Sequence, residues 1–123
     1  MRALVIDDAR TIRAIITQIL QELGIEVVQA ANGLEGLARL RDQPGVDLVL
    51  VDWNMPEMNG LEFIQAVRTR REYDSVRIMM VTTETEQDQV VRALAAGANE
   101  YVMKPFTREI LVAKLSLMDA FAE

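Results

Sequence analysis

The sequence predicts an α/β fold built on a mostly parallel sheet, and two observations carry that expectation. Short apolar runs alternate five times with longer stretches of helical spacing, all within 123 residues. Half of the residues (50%) are hydrophobic, enough to close one core without disulfides or a structural metal. A single domain over residues 1–123 is expected, because no linker, internal repeat or low-complexity tract interrupts the series.

The first strand is expected over Ala3–Asp7. Ile12, Ile15, Ile16, Ile19, Leu20 and Leu23 then form an apolar stripe that stops at Gly24, a suitable residue just past a helix end. A second strand, Glu26–Ala30, leads to a helix marked by Leu34, Leu37, Ala38 and Leu40 and broken at Gln43-Pro44-Gly45. The third strand, Asp47–Asp52, precedes a helix carrying Leu61, Phe63, Ile64 and Val67, closed by the basic stretch Arg68–Arg71. After the fourth strand, Arg77–Thr82, a helix with Val90, Val91, Leu94 and Ala95 runs to Gly97. The fifth strand, Glu100–Met103, precedes a helix through Ile110, Leu111, Leu115 and Met118, with Thr107 as its N-cap.

Strand composition orders the sheet. Leu4-Val5-Ile6, Leu48-Val49-Leu50-Val51 and Ile78-Met79-Met80-Val81 are unbroken apolar runs, as central strands covered on both faces require. Glu26–Ala30 and Glu100–Met103 mix polar and apolar residues, as edge strands do. Strands 1, 3 and 4 inside with 2 and 5 outside fit the order 2-1-3-4-5, a flavodoxin-like (βα)5 arrangement with helices on both faces. The seven Met residues, Met79, Met80 and Met118 among them, are expected as adaptable core filling.

Composition narrows the chemistry. The chain has no Cys and no His, which removes thiolate zinc sites, Cys nucleophiles, imidazole bases and Ser-His-Asp arrangements. With 13 Lys+Arg against 19 Asp+Glu the net charge is −6, which opposes direct nucleic-acid binding. No apolar run approaches membrane-spanning length, and four apolar residues before Asp7-Asp8 are too few for a signal peptide, so a cytoplasmic protein is expected.

In an open parallel sheet, ligands bind beyond the carboxyl ends of the strands, where the order reverses. The predicted ends carry Asp7-Asp8, Asp52, Thr82-Thr83 and Lys104-Pro105, while the second strand ends in Ala30-Ala31. Taken singly, each has an ordinary explanation: Asp8 as a helix cap, Thr82 as a strand residue, Lys104 as a surface loop residue. Their coincidence on one rim does not. Like-charged carboxylates at ~4 Å cost on the order of 4 kcal/mol per pair at an effective dielectric of ~20. An all-oxygen set relieves this by binding a hard cation, and Mg²⁺ suits one or two carboxylates plus a phosphate. A carboxylate can itself attack phosphorus to form an aspartyl-phosphate, and phosphoryl transfer needs little beyond positioning and charge neutralisation. These residues therefore read as a phosphorylatable carboxylate with bound Mg²⁺.

The stretches Leu4-Val5-Ile6-Asp7-Asp8, Val51-Asp52-Trp53-Asn54-Met55-Pro56-Glu57-Met58-Asn59-Gly60, Met80-Val81-Thr82-Thr83-Glu84 and Tyr101-Val102-Met103-Lys104-Pro105-Phe106-Thr107 resemble response-regulator receiver domains, above all the single-domain receivers of chemotaxis. The resemblance covers essentially the whole chain. It implies that Asp52 accepts a phosphoryl group from a sensor histidine kinase, which supplies the phosphohistidine this His-free chain lacks. It implies one Mg²⁺ held by Asp7, Asp8, Asp52 and the backbone carbonyl of Asn54. Thr82 and Lys104 would bind the phosphoryl oxygens, Tyr101 would turn inward when Thr82 moves, and the Lys104-Pro105 bond would be cis. Asn54 and Glu84 would set how long the phosphoryl group survives, in a combination that suggests fairly rapid self-dephosphorylation.

The resemblance also implies a signalling protein rather than an enzyme, catalysing only its own phosphorylation and dephosphorylation. The readout face would be helix 4, strand 5 and helix 5, with Val90, Val91, Met103 and Lys114. The downstream target would be a protein, with the flagellar motor switch favoured, and the chain would be a monomer. Phosphorylation adds about −1.5 to −2 charge, and a swing from 1:99 to 99:1 needs ~5.5 kcal/mol, within reach of a few charge-assisted bonds. Arg68, Arg70 and Arg71 are expected to complement the negative end of helix 3. Trp53, beside Asp52, would report cation binding through its fluorescence.

Other readings are weaker. Aspartate-nucleophile phosphohydrolases carry Asp-x-Asp after the first strand, whereas here Asp7-Asp8 are adjacent and Asp52-Trp53-Asn54 lacks a second acid. A flavin site is opposed by the acidic rim, and neither GxxxxGK[ST] nor GxGxxG occurs. A receiver cut from a longer regulator, with a DNA-binding or enzymatic output domain, is the nearer alternative.

Overall fold

Strands that are apolar without alternation become the middle of the sheet. Residues 3–6, 48–51 and 78–81 are all buried. The computed structural model describes residues 1–83 and 87–118. Its elements are β1 (Arg2–Ile6), α1 (Arg10–Glu22), β2 (Glu26–Ala30), α2 (Gly33–Asp42), β3 (Val46–Asp52), α3 (Gly60–Arg68), a 3-10 turn (Arg71–Tyr73), β4 (Arg77–Thr82), α4 (Gln87–Ala96), β5 (Glu100–Met103) and α5 (Arg108–Leu117). The strands form one five-stranded parallel sheet in the order β2-β1-β3-β4-β5, as the composition of the edge strands predicts.

Alternate residues of each central strand serve opposite layers. Leu4, Ile6, Val49, Val51, Ile78 and Met80 pack with Leu40, Phe63, Ile64, Val67 and Ala93 from α2, α3 and α4. Ala3, Val5, Leu48, Leu50, Met79 and Val81 pack with Ile16, Ile19, Leu20, Leu111 and Leu115 from α1 and α5. Met79, Met80 and Met118 are core residues, as expected.

Two strands start one residue earlier than the sequence suggests. Arg2 begins β1 because its amide donates to Asp47 Oδ2 (3.1 Å) and its guanidinium to Glu26 and the Pro44 carbonyl. Val46 opens β3 opposite Arg2. Asp7 falls just beyond β1: its Oδ1 accepts from the Ala9 amide (2.8 Å), which turns the chain toward α1. Asp8 does not cap that helix. The N-cap is Ala9, which has no side-chain acceptor. Elsewhere the caps follow the expected chemistry: Asn32 accepts from Glu35, Asn59 and Glu62 form a reciprocal capping box, and Thr107 accepts from Ile110.

Arg68 does more than complement a helix end. Its guanidinium donates to the carbonyls of Gly97 (3.0 Å), Tyr73 (2.9 Å) and Val76 (2.7 Å) and to Asn99 Oδ1 (3.2 Å). Asn99 Oδ1 in turn accepts from the Ile78 amide (2.8 Å). One side chain thereby ties the end of α3 to the connection before β4 and to the α4–β5 turn. Gly97 permits this: its φ is +120°, and a Cβ there would lie 2.6 Å from the Arg68 stem. Helix-end complementarity misses these partners because they come from other segments, 29 and 31 residues away for Gly97 and Asn99.

Arg68→Met keeps the stem and removes the fork, leaving part-buried carbonyls without a donor. It is expected to cost about 2–4 kcal/mol in urea unfolding, with Arg68→Lys recovering little because an ammonium cannot reach the same carbonyls together. A loss below about 0.5 kcal/mol, the range of ordinary surface substitutions, would show that the clamp contributes nothing.

Candidate functional site

Four strand ends build the site. Asp7 follows β1 and is 1% exposed, Asp52 ends β3 at 5%, and Thr82 ends β4 at 2%. Lys104 follows β5, and its amide donates to the Thr82 carbonyl (2.8 Å). From that anchor its ammonium reaches across the rim to Asp7 Oδ2 (3.0 Å) and Asp52 Oδ1 (3.2 Å). The Lys104-Pro105 bond is cis, as the resemblance implies.

The loop after β3 is held at both ends. The Trp53 amide donates to the Val81 carbonyl, and the Gly60 amide donates to the Trp53 carbonyl, both at 3.0 Å. A Cβ on Gly60 would overlap the Asp52 carbonyl oxygen, so α3 can begin this close to Asp52 only with glycine. The Trp53 ring is buried beneath the Arg92 guanidinium of α4, 5.9 Å from its centroid. Asn54 is exposed on this loop, while Glu84 lies outside the described residues.

Electrostatics make the pocket short of positive charge. One carboxylate oxygen each from Asp7, Asp8 and Asp52 can be chosen so that all lie within 4.8 Å of one another, with Asp8 the exposed member. Burial, then the charge of Asp7, raises the Asp52 pKa from 3.8 to about 6, although Lys104 opposes the shift. Burial lowers the Lys104 pKa, but its contacts with Asp7 and Asp52 outweigh this and leave it raised. The three clustered acids therefore have one ammonium bonded among them, shared by Asp7 and Asp52. An all-oxygen donor set with uncompensated negative charge fits a hard divalent cation. Asp7 Oδ1 and Oδ2 and Asp52 Oδ1 have partners within the protein, while no described residue donates a hydrogen bond to Asp52 Oδ2.

The remaining expected residues lie around this centre. Thr82 pairs with Met103 and Met80 with Tyr101, so Tyr101 sits two residues back from Thr82's neighbour on the adjoining strand. Tyr101 is half-buried, with the Lys114 ammonium 4.3 Å from its ring centroid. Val91 is 60% exposed on α4, with Leu94 beside it at 42%, while Val90 and Met103 are half-buried. Next to Lys104, Ile12, Ile15, Pro105 and Phe106 line a shallow apolar hollow of about 150 Å³. Sequence reasoning missed Arg13, which donates to the Asp7 carbonyl (2.6 Å), and Glu100, which pairs with Lys114 (3.3 Å). Both contacts join residues from different elements, and neither has a local sequence signal.

Known proteins share this arrangement. Residues 3–116 match the response regulator receiver domain family. A chemotaxis protein CheY homolog of Campylobacter jejuni is 45% identical over 116 residues, covering 94% of this chain and 89% of the relative. CheY1 of Helicobacter pylori is 41% identical over 119 residues, 96% of each chain. The solved structure of Vibrio cholerae CheY4 superposes with a TM-score of 0.89 at 38% identity, covering 95% and 97% of the two chains. A probable response regulator/GGDEF domain protein also superposes (TM-score 0.91, 31% identity), and there this chain spans 51% of the neighbour. No helix among the described residues is long and apolar enough to cross a membrane. The acid pocket with its single lysine, the sheet order that creates it and these likenesses across nearly the whole of this chain lead to one conclusion: the chain belongs to the response regulator receiver family, homologous to the CheY chemotaxis regulators, and acts in phosphorylation-based two-component signalling.

Proposed function

We propose that Asp52 is the phosphoacceptor and that its Oδ2 is the attacking atom. The observation that carries this reading is the asymmetric engagement of the carboxylate. Lys104 holds Oδ1 at 3.2 Å, and no described residue donates to Oδ2. With a pKa of about 6, Asp52 is mostly ionised at neutral pH and available as a nucleophile. Oδ2 forms the new bond to phosphorus as the P–N bond to a histidine kinase's phosphohistidine breaks, and the histidine nitrogen leaves with the electron pair. Attack of water on phosphorus later breaks the Oδ2–P bond, restores the carboxylate and releases inorganic phosphate, so in this reading the chain catalyses only its own phosphorylation and dephosphorylation. Asn54 and Glu84 set the rate of that second step.

Asp7, Asp8, Asp52 and the Asn54 carbonyl would hold one Mg²⁺, which when bound supplies positive charge for the phosphoryl oxygens. Lys104 supplies a second positive charge, and the Thr82 hydroxyl a neutral donor. The apolar hollow of Ile12, Ile15, Pro105 and Phe106 opens beside Lys104, and a kinase resting there would bring its phosphohistidine to Asp52. Tyr101 transmits the change to α4, β5 and α5, where Val90, Val91, Met103 and Lys114 contact the downstream protein. The relatives are named as chemotaxis proteins, which supports a role in chemotaxis; the reading extends to a motor-switch target and to a monomeric protein acting in the cytoplasm.

Incubation with acetyl phosphate and Mg²⁺ is expected to add one phosphoryl mass that maps to Asp52 and is absent from Asp52→Asn; a mass mapped to another residue would overturn the assignment. The same variant tests the charge imbalance. A carboxylate whose folded pKa is raised contributes fully below its unfolded pKa near 3.8 and loses that contribution as pH rises through about 6. Metal-free Asp52→Asn is therefore expected to be more stable than the parent at pH 7.5, by up to about 3 kcal/mol, with the gap closing toward pH 4. Equal denaturation midpoints at both pH values would contradict it.

Lys104→Met removes the ammonium that competes with a divalent ion for Asp7 and Asp52. Mg²⁺ titration followed by Trp53 fluorescence is expected to show tighter binding, on the order of tenfold, alongside a less stable metal-free protein. Weaker binding in this variant would show that Lys104 positions the carboxylates for the ion rather than competing with it.

A further inference from the structure

A second cluster of charges lies on the β5–α5 side, outside the acid pocket. Glu100 Oε1 accepts from the backbone amide of Tyr101 (2.9 Å) and from the Lys114 ammonium (3.3 Å). That ammonium sits 4.3 Å from the centroid of the Tyr101 ring. The Lys114 and Glu100 side chains are 25% and 17% exposed, so water only partly screens the pair. β5 is an edge strand, and the Glu100 carboxylate supplies the acceptor for the Tyr101 amide. The three residues close a loop: a carboxylate fixes an ammonium, the ammonium covers an aromatic face, and the amide of that aromatic residue fixes the carboxylate.

We propose that Glu100 is a positioning residue for the switch, holding Lys114 over Tyr101 and so restraining the ring in the position seen here. The inference rests on the reading of Tyr101 as the element that moves with phosphorylation. Any displacement of the ring gives up the ammonium–ring attraction, and Glu100 makes that loss larger by preventing Lys114 from following. The clamp therefore biases the ring equilibrium before any phosphoryl group arrives. A cation–ring contact at a partly exposed site corresponds to about a two- to five-fold change in such an equilibrium.

The test uses the full chain with 3-fluorotyrosine incorporated and ¹⁹F NMR. The chain has two tyrosines, and Tyr73→Phe assigns the Tyr101 signal. In the parent protein, acetyl phosphate with Mg²⁺ is expected to shift that signal. Glu100→Gln, which keeps an acceptor for the Tyr101 amide but loses the charge, is expected to move the unphosphorylated signal part of the way, equivalent to a two- to five-fold shift. Lys114→Met should do the same, and Lys114→Arg, which keeps the cation, should restore the parent position. A merely structural role would lower the urea midpoint without moving the signal along the acetyl phosphate direction. If Glu100→Gln and Lys114→Met both leave the signal and its response unchanged, the clamp is refuted. If mass measurement places the phosphoryl group on Asp52 while the parent Tyr101 signal stays still, the clamp fails and the acceptor assignment stands. If no phosphoryl group reaches Asp52, both fail.

Discussion

Crowding of negative charge where β1 and β3 end is the constraint on which the site depends. These strands are neighbours at the centre of the sheet, so acids placed just beyond them cannot avoid one another. At the separations involved, each like-charged pair costs on the order of 4 kcal/mol at an effective dielectric of ~20. The fold offers one half-buried ammonium in return, Lys104, divided between Asp7 and Asp52. Burial, followed by the charge of Asp7, raises the Asp52 pKa even with that ammonium beside it. A pocket in this condition gains from any added positive charge, and it holds a carboxylate that is ionised yet incompletely satisfied.

The same lysine offers the proposed switch a route from a change of charge to a change of shape. Its amide is bonded to the Thr82 carbonyl, while its ammonium spans to the two acids. Redistribution of charge over Asp52 acts on the ammonium, and the backbone bond connects that residue to the end of β4. Met80, two residues earlier on β4, is paired with Tyr101. The chain of contacts from acid to aromatic ring is short because β4 and β5 are adjacent, and it emerges beside α4, whose Val91 and Leu94 are exposed.

Most of this was legible in the sequence where a local signal exists. Unbroken apolar runs separate the central strands from the edges, and Thr107 is legible as the cap of α5. The acids at strand ends were legible because the topology brings all such ends to one rim. Long-range contacts were not. Nothing near Arg68 announces that its guanidinium will bond the carbonyl of Gly97, 29 residues on, and nothing near Glu100 announces Lys114. The ordinary alternative for Asp8, a helix cap, fails for a local reason: it is the buried Asp7 that accepts from the Ala9 amide, leaving Asp8 exposed beside the other acids as the acidic-rim reading expects.

The chain's two deeply engaged cations show why partner chemistry, rather than burial, separates a structural role from a functional one. Burial lowers the pKa of Arg68, whose main partners are carbonyl oxygens, neutral dipoles that no ligand will remove. Its fork is satisfied in a single arrangement, which suits a clamp between segments. Lys104 instead faces two carboxylates, the groups to which the proposed metal and phosphoryl roles are assigned. Its interactions change strength whenever the charge of the pocket changes, and an ammonium on a flexible stem can follow. Exchanging the two would defeat both: a planar fork would fix the acids in one geometry, and a point charge could not bond carbonyls from two separate turns. The fold thus keeps its rigid cation at the amino-terminal end of β4 and the one facing ionisable partners at the carboxyl ends of the strands, where the proposed phosphorylation would change the charge.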